Sequence, residues 1–345
     1  MTSRTVRLDV RDEVGPAERA AVRTLLDAVR AADGARPLSD EGWVAVAAPA
    51  GPEALVAAPG SPGGVPGPPA VLLTARPGPG GGGEVGEVDG GDGEVDGGLA
   101  GCAVLLPGDG AWALEVAVHP AWCDGDRTVE EQLVRASVGE VAQRGGTAVR
   151  LWLRAPPPER TALARRLGFD AERELLQLRV PLPLPTDVAA SPRDVRVRPF
   201  APGRDEERWL AANNRAFATH PEQGGWALTD ILVREREPWF DPAGFLLHEE
   251  DDQVAAFCWT KVHRDSRPPL GEIYVIGVDP AFQGRGLGRA LTVAGLEHLA
   301  GRGVPVGMLY VDGANAPARA LYGSLGFTPH RVDSAYLRRL ASGDG

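Results

Sequence analysis

The sequence predicts an α/β fold with a mixed sheet, built twice in tandem, and three observations predict it. The apolar run Ile273-Tyr-Val-Ile-Gly-Val278 passes through Asp279-Pro280 into Gln283-Gly284-Arg285-Gly286-Leu287-Gly288. Apolar residues then recur at helical spacing (Leu287, Leu291, Ala294, Leu299), so the order is strand, tight turn, helix. After that helix, Val304-Pro-Val-Gly-Met-Leu-Tyr-Val311 reads as a second buried strand. Finally, landmarks repeat. Val116-Ala-Val-His-Pro120 echoes Ile276-Gly-Val-Asp-Pro280 at an offset of 160. Leu151-Trp-Leu153 echoes Leu309-Tyr-Val311, and Leu167-Gly-Phe169 echoes Leu325-Gly-Phe327, both at 158. An offset this steady marks a duplicated unit.

The elements follow in order. Residues 5–8 read as an opening strand and 17–32 as an amphipathic helix; 195–198 and 205–217 repeat that pair in the second copy. Glycines set among acidic residues over 76–98 leave almost nothing to bury, so this tract reads as a disordered insertion between two strands of a hairpin. The stretch Pro181-Leu-Pro-Leu-Pro-Thr-Asp-Val-Ala-Ala-Ser-Pro192 reads as an extended, semi-rigid connector. The domains are therefore set at 1–182 and 195–345, with 183–194 as the linker.

At 345 residues and 43% hydrophobic content, the chain accommodates two cores of ordinary size. A net charge of −11 argues against a nucleic-acid partner, which calls for a basic face. Anion affinity must then be local, from main-chain dipoles and a few arginines such as Arg285 and Arg289. Cys102, Cys123 and Cys258 show no metal-ligand spacing; each reads as a small apolar core residue, and no metal is expected. The opening Met1-Thr-Ser-Arg4 leads into no apolar h-region, and no run approaches the ~18 apolar residues of a membrane span. A cytoplasmic monomer without membrane contact is expected. Lys261 is the single lysine among 36 basic residues, in a chain that otherwise writes arginine for every cation. Such a position suits a compact ammonium rather than a planar fork.

The turn at 283–288 carries chemistry. Successive main-chain N–H groups and the positive end of a helix dipole form a cradle for a pyrophosphate, and glycines allow the chain to curl around it. The first copy lacks these features. In place of the turn it has Cys123-Asp-Gly-Asp-Arg-Thr128, whose aspartates repel an anion, and Ala164 stands where the second copy has Tyr322. The first copy keeps the skeleton and reads as structural.

The order strand, Q-x-x-G-x-G, helix, strand, N-x-x-A-x-x-x-Y-x-x-x-G-F resembles the GNAT family of acyl-CoA-dependent N-acetyltransferases. Here the last motif is Asn315-Ala-Pro-Ala318-Arg-Ala-Leu-Tyr322-Gly-Ser-Leu-Gly-Phe327. The resemblance implies two tandem GNAT domains, the first degenerate, with acetyl-CoA as co-substrate. It implies contacts from Ile276, Gly277 and Val278 to the pantetheine arm, in the manner of an added strand. The turn residues Gln283, Gly284, Arg285, Gly286, Leu287, Gly288 and Arg289 would hold the pyrophosphate. Asn315, Ala316, Pro317, Ala318, Arg319 and Ala320 would complete the cleft. Gly284 stands where the family commonly has an arginine.

Further strings, His220-Pro-Glu-Gln-Gly-Gly-Trp226, Pro238-Trp-Phe-Asp-Pro242, Trp259-Thr-Lys-Val-His263 and Gly271-Glu-Ile-Tyr-Val-Ile-Gly-Val278, resemble one branch of that family. That branch acetylates the cysteinyl amine of a glucosaminyl-inositol, so the implied partner is a small-molecule amine, a cysteinyl pseudo-disaccharide. Glu222, Lys261, Tyr310, Glu272 and, from the first copy, Asp40 are the expected substrate contacts. Glu272, at the start of the strand before the turn, is the expected base for the amine or a ligand of its ammonium; both roles stand open. Tyr322 is the expected general acid toward the departing thiolate. A main-chain N–H near Val278 would polarise the thioester carbonyl. No cysteine or serine stands with a histidine as a nucleophile, so direct attack without an acyl-enzyme is expected. Two other readings remain at this point: a GNAT enzyme for another amine (a protein N-terminus, an aminoglycoside or a polyamine), and a non-catalytic CoA-binding regulator.

Overall fold

The structure, a computed structural model, describes residues 5–33, 37–47, 70–78, 98–108, 110–123, 127–190, 195–218, 225–264 and 266–340. Its described residues form two compact units, one holding the chain up to Glu172 and again from Ser334, the other Arg173–Asp333.

The first unit contains β1 (Val6–Arg11), α1 (Pro16–Asp33), α2 (Asp40–Ala47), β2 (Val71–Pro77), β3 (Gly101–Leu106), β4 (Trp112–Val118), α3 (Thr128–Gln143), β5 (Ala148–Arg154) and α4 (Pro158–Arg166). β1 to β4 pair antiparallel in sequence order, and β4 pairs parallel with β5 from Trp112↔Val149 to Glu115↔Trp152. Strand side chains alternate between two cores, as the period of two demands. Ala103 and Leu105 of β3 enter the core under α3 and α4, whereas Cys102 and Val104 enter the one under α1 and α2. α1 supplies Val22, Leu25, Leu26 and Val29, the i, i+3, i+4, i+7 stripe of an amphipathic helix.

The expected hairpin is present: β2 and β3 pair from Val71↔Leu105 to Ala75↔Gly101. β2 continues through Pro77, so residues 76 and 77 are strand rather than insertion. The rest of the tract, 79–97, lies outside the described residues. Cys102 and Cys258 are buried as expected, but Cys123 is exposed at the end of a short turn and is no core residue.

The second unit contains most of β6 (Asp170–Pro181), α5 (Thr186–Ala189), β7 (Arg198–Pro199), α6 (Glu206–Ala216), α7 (Leu228–Glu235), β8 (Phe245–Glu250), β9 (Gln253–His263), β10 (Leu270–Val278), α8 (Leu287–Gly301), β11 (Val306–Asp312), α9 (Ala316–Ser324) and the first half of β12 (Thr328–Arg339). Its strand order is β6-β11-β10-β9-β8-β7, antiparallel except for β10 and β11, which run parallel. One face is covered by α8 and α9 over Leu291, Leu296, Leu299 and Leu309. The other is covered by α6 and α7 over an aromatic cluster centred on Trp209, fully buried and edge-on to Trp226, Phe245, Phe257 and Trp259 at 5.3–5.8 Å between ring centroids. Such edge-to-face contacts add about 0.5–1.5 kcal/mol each beyond the area they bury.

The compact units divide inside β6 and inside β12 rather than in the connector. The reason is pairing: β6 forms a seven-residue antiparallel ladder with β11, from Val306↔Pro181 to Asp312↔Leu175. The last residues of the chain belong to the first unit, where Tyr336 joins the core beside α4 and the Leu340 N–H donates to Thr147 O at 2.8 Å. The connector is not an extended spacer either. It holds the one-turn helix α5, and Leu182, Leu184, Val188 and Ala189 pack against the second unit's core. The strand expected at 195–198 is reduced to Arg198–Pro199.

Candidate active site

The geometry turns on where β10 and β11 part. Their parallel ladder covers only Leu270↔Val306, Gly271↔Gly307 and Glu272↔Met308, although β10 runs on to Val278 and β11 to Asp312. On its other edge β10 stays paired with β9 as far as Val278↔Ala256, with a bulge between Ile273 and Val275. The bulge puts Tyr274 and Val275 together on the α6–α7 face, while Ile273 packs under α8. Beyond Glu272, the edge of β10 toward β11 therefore offers main-chain donors and acceptors to an incoming extended chain.

β10 leads straight into the turn. Asp279 caps a short turn by accepting from the Ala281 N–H at 3.0 Å, and Arg215 holds its other oxygen at 2.6 Å. Gly284 and Gly286 then take φ of +76° and +78°, which a residue with a Cβ adopts only under strain. Nothing lies within 4 Å of a Cβ built at either, so conformation and not crowding calls for glycine there. Gly277 differs: a Cβ there would collide with the Phe257 ring. Gly286 caps α8 without any side-chain hydrogen bond, and the first intrahelical bond is Ala290 N–H to Gly286 O at 3.2 Å. The N–H groups of Leu287, Gly288 and Arg289 thus begin the helix without intrahelical acceptors, on a surface where 283–286 are exposed. Main-chain N–H groups exposed at a helix start suit an anion such as a diphosphate.

The two arginines expected to add positive charge have protein partners. Arg285 Nη1 donates to Glu250 Oε2 at 2.8 Å; Arg289 donates to Val188 O at 2.6 Å and to Ser324 Oγ at 2.9 Å. Asn315 caps α9 by accepting from the Ala318 N–H at 3.1 Å, and Ala316, Pro317, Arg319 and Ala320 beside it are exposed.

Glu272 and Lys261 face each other across β9 and β10. Glu272 is 8% exposed and its Oε2 lies 2.6 Å from His263 Nε2. Lys261 is 2% exposed, with its ammonium 4.3 Å from the Trp239 ring centre and 5.0 Å from that of Tyr274. A compact cation between two π faces accounts for lysine at this one position. Arg234 Nε donates to the Tyr274 hydroxyl at 3.0 Å and stacks over Trp226 at 4.2 Å, so α7 is tied to this face.

On the α8 side, Tyr322 is 8% exposed and its ring lies 5.7 Å from that of Phe327. Burial, with a smaller contribution from Cys258, pushes its phenol up to about 12. Burial likewise raises the Cys258 thiol, which keeps it protonated and a poor nucleophile. The Tyr310 hydroxyl accepts from Gln177 Nε2 at 2.7 Å and from Arg331 Nη2 at 2.9 Å. Glu222 lies outside the described residues. Asp40 opens α2 in the first unit, next to Ser39, whose N–H donates to Glu115 on β4 at 2.7 Å.

One hairpin thus brings Glu272, Lys261 and His263 together. The sequence assigns no site role to His263, Trp239, Tyr274 or Arg234, although the first three stand in the strings that carry the resemblance. Counting both strands back from the loop between them places 261 opposite 272 and 263 opposite 270, a signal that needs only recognition of the hairpin.

The first copy repeats the outline without the cradle. Arg127 takes the left-handed conformation at the N-cap of α3, φ +52°, and its guanidinium pairs with Glu130 at 3.1 Å. Glu130 also binds Arg160 at 2.7 Å. A cavity of about 630 Å³ beside them is lined by Arg127, Glu131, Arg135 and Arg166, and hydrogen bonds from Arg166 and Arg135 hold the Glu131 carboxyl below its ordinary value. Its cations are engaged by its own glutamates. Asp124 and Asp126 lie outside the described residues.

Residues 207–327 match the Acetyltransferase (GNAT) family. The chain is 42% identical over 339 residues to the mycothiol acetyltransferase of Thermobispora bispora, covering 97% of this chain and 100% of that one. It is 50% identical over 246 residues to the mycothiol acetyltransferase of Thermomonospora curvata, covering 70% and 79%. In fold it is similar to the tandem GNAT protein from the clavulanic acid biosynthesis pathway, with a TM-score of 0.62 and 15% identity over 96% of this chain and 98% of that one. Among the described residues no helix is long and apolar enough to cross a membrane, and no group of three or more His, Cys, Asp or Glu side chains is placed to hold a metal ion.

Proposed function

This chain belongs to the mycothiol acetyltransferase family of GNAT N-acetyltransferases, and from that premise we propose that it acetylates the cysteinyl amine of cysteinyl-glucosaminyl-inositol, giving mycothiol, by direct attack in a ternary complex with acetyl-CoA. The observation that carries the reading is the early end of the β10–β11 ladder at Glu272↔Met308, with the rest of β10 leading through a glycine turn to a helix N-terminus that has no side-chain cap. A strand edge and an anion cradle in succession suit a ligand with an amide-rich arm and a diphosphate.

Acetyl-CoA supplies an activated thioester and a sulfur leaving group. The chain supplies the rest. Residues 276–278 bind the arm through main-chain groups, and the Val278 N–H polarises the carbonyl. Residues 283–289 hold the diphosphate, and 315–320 border it. Glu272 takes the proton that the ammonium must lose: one N–H bond breaks and one carboxyl O–H forms. An α-amino group has a pKa near 8, so presenting it neutral at pH 7 costs only about 1.4 kcal/mol, within reach of a carboxylate. Tyr322 faces the departing sulfur. With its phenol at about 12, complete proton transfer to a thiolate whose conjugate acid sits near 8.5 runs uphill by about 5 kcal/mol. Its contribution is therefore a hydrogen bond to the sulfur, with water completing the protonation.

Lys261, Tyr310 and Glu222 are proposed to meet the sugar and inositol hydroxyls. The second copy is the catalytic domain and the first its structural partner, and we read the enzyme as a cytoplasmic monomer. Incubation with acetyl-CoA and cysteinyl-glucosaminyl-inositol tests the proposal: mass spectrometry should find one acetyl group gained on nitrogen, with release of one CoA per product. Turnover with other small amines and none with this one would overturn it.

A further inference from the structure

We infer that His263 is a positioning residue for acetyl transfer: its imidazole fixes one oxygen of Glu272 so that the other is presented to the substrate amine. The inference rests on the reading of Glu272 as the group that meets the amine.

The geometry is specific. His263 lies diagonally across the hairpin from Glu272, two residues beyond Lys261, and the Nε2–Oε2 distance is 2.6 Å. Both side chains are largely withdrawn from water, 13% and 10% exposed. A carboxylate only accepts hydrogen bonds, so the proton of this contact sits on Nε2, and the bond is of the short, charge-assisted kind. With Oε2 engaged, rotating the carboxylate away breaks this hydrogen bond, so one orientation of Oε1 is favoured.

The surroundings reinforce the assignment. Lys261 directly faces Glu272 from β9, but its ammonium lies against the Trp239 and Tyr274 rings, and Tyr274 is itself held by Arg234 from α7. The charge opposite the glutamate is thus drawn toward an aromatic pair, while the histidine supplies the short contact to the carboxylate. Across the parallel ladder the partner is Met308, which has no charge to offer. Proton transfer from a bound amine depends on the acceptor standing within hydrogen-bond reach in the right direction, and a misplacement of about 1 Å is felt strongly. An immobilised carboxylate beside the point where β10 and β11 part meets that demand.

The test compares His263→Leu, which removes the donor, with His263→Gln, which keeps an N–H donor and cannot carry charge. Both are measured beside Glu272→Gln and the double variant His263→Leu/Glu272→Gln. The expected result is a fall in kcat of about tenfold or more for His263→Leu with the Kd for acetyl-CoA within twofold of wild type, substantial recovery in His263→Gln, and a double variant no slower than Glu272→Gln alone. An unchanged acetyl-CoA Kd also shows that the leucine variant is folded. Wild-type kcat in His263→Leu, or equal impairment of the leucine and glutamine variants, would overturn the inference. Undiminished turnover in Glu272→Gln would instead remove the reading of Glu272 on which it rests.

Discussion

Glu272 and Met308 are the last residues to face each other across the parallel β10–β11 ladder, and the buried Glu272 therefore stands at the mouth of the gap where the two strands separate. Amides along that gap and at the start of α8 are where an acyl donor's arm and diphosphate would bind. Hydrogen exchange measured by mass spectrometry should slow over 274–278 and 284–289 when acetyl-CoA is added, with no change over 127–131 of the first copy. Protection confined to the first copy would contradict the assignment of the catalytic half.

Tyr322→Phe removes a hydrogen-bond donor from a buried site and leaves the ring contact with Phe327 in place. We expect kcat to fall by about 10²-fold with little change in the acetyl-CoA Kd. Because burial holds the phenol up at about 12, the wild-type kcat–pH profile should show no basic limb from this residue below about pH 10. Steady-state kinetics across pH check both statements.

Gly286 and Gly288 predict opposite tolerance. Gly286 has φ of +78°, so Gly286→Val forces a β-branched residue into the left-handed region, at a cost of at least about 1–2 kcal/mol, and disturbs the cradle. At Gly288 a Cβ would meet Leu321 and Val278 side chains at 3.7 and 3.8 Å, which is ordinary contact. Calorimetric titration should find acetyl-CoA binding weakened by an order of magnitude or more in Gly286→Val, and changed by less than about threefold in Gly288→Ala.

Glu235 at the end of α7 shares a hydrogen bond with Glu206 at the start of α6, and burial followed by the Glu206 charge raises its carboxyl from 4.5 to about 7. The folded state therefore holds a proton that the unfolded chain releases earlier. The resulting stability is fully present below about pH 4.5 and is lost as pH rises through about 7. Glu235→Gln cannot ionise, so its Tm should fall less than that of wild type between pH 5 and pH 8. Parallel Tm curves would show that the pair carries no such linkage.

Local signals were legible in the sequence and pairings were not. The strand, turn and helix around Gly286 could be read because positive φ at a glycine and the apolar periodicity of 287–299 are properties of adjacent residues. The duplication was legible for the same reason, as repeated short strings. The assignment of the β6 residues 173–181 to the second unit was hidden, because the ladder with β11 joins residues some 130 apart and period-two alternation does not say which neighbour a strand will choose. The His263–Glu272 contact depends on hairpin register, and the place of Tyr274 in the cage around Lys261 depends also on a bulge between Ile273 and Val275, which shifts the facing of the strand by one residue. Lys261 was flagged by composition alone, without its surroundings.

A crystal structure of the protein with acetyl-CoA would show where the acyl donor sits. The diphosphate should lie on the N–H groups of 284–289, the arm along 276–278 between β10 and β11, and the acyl carbon between Glu272 and Tyr322. A coenzyme seated away from that gap, with its thioester out of reach of both side chains, would contradict this placement.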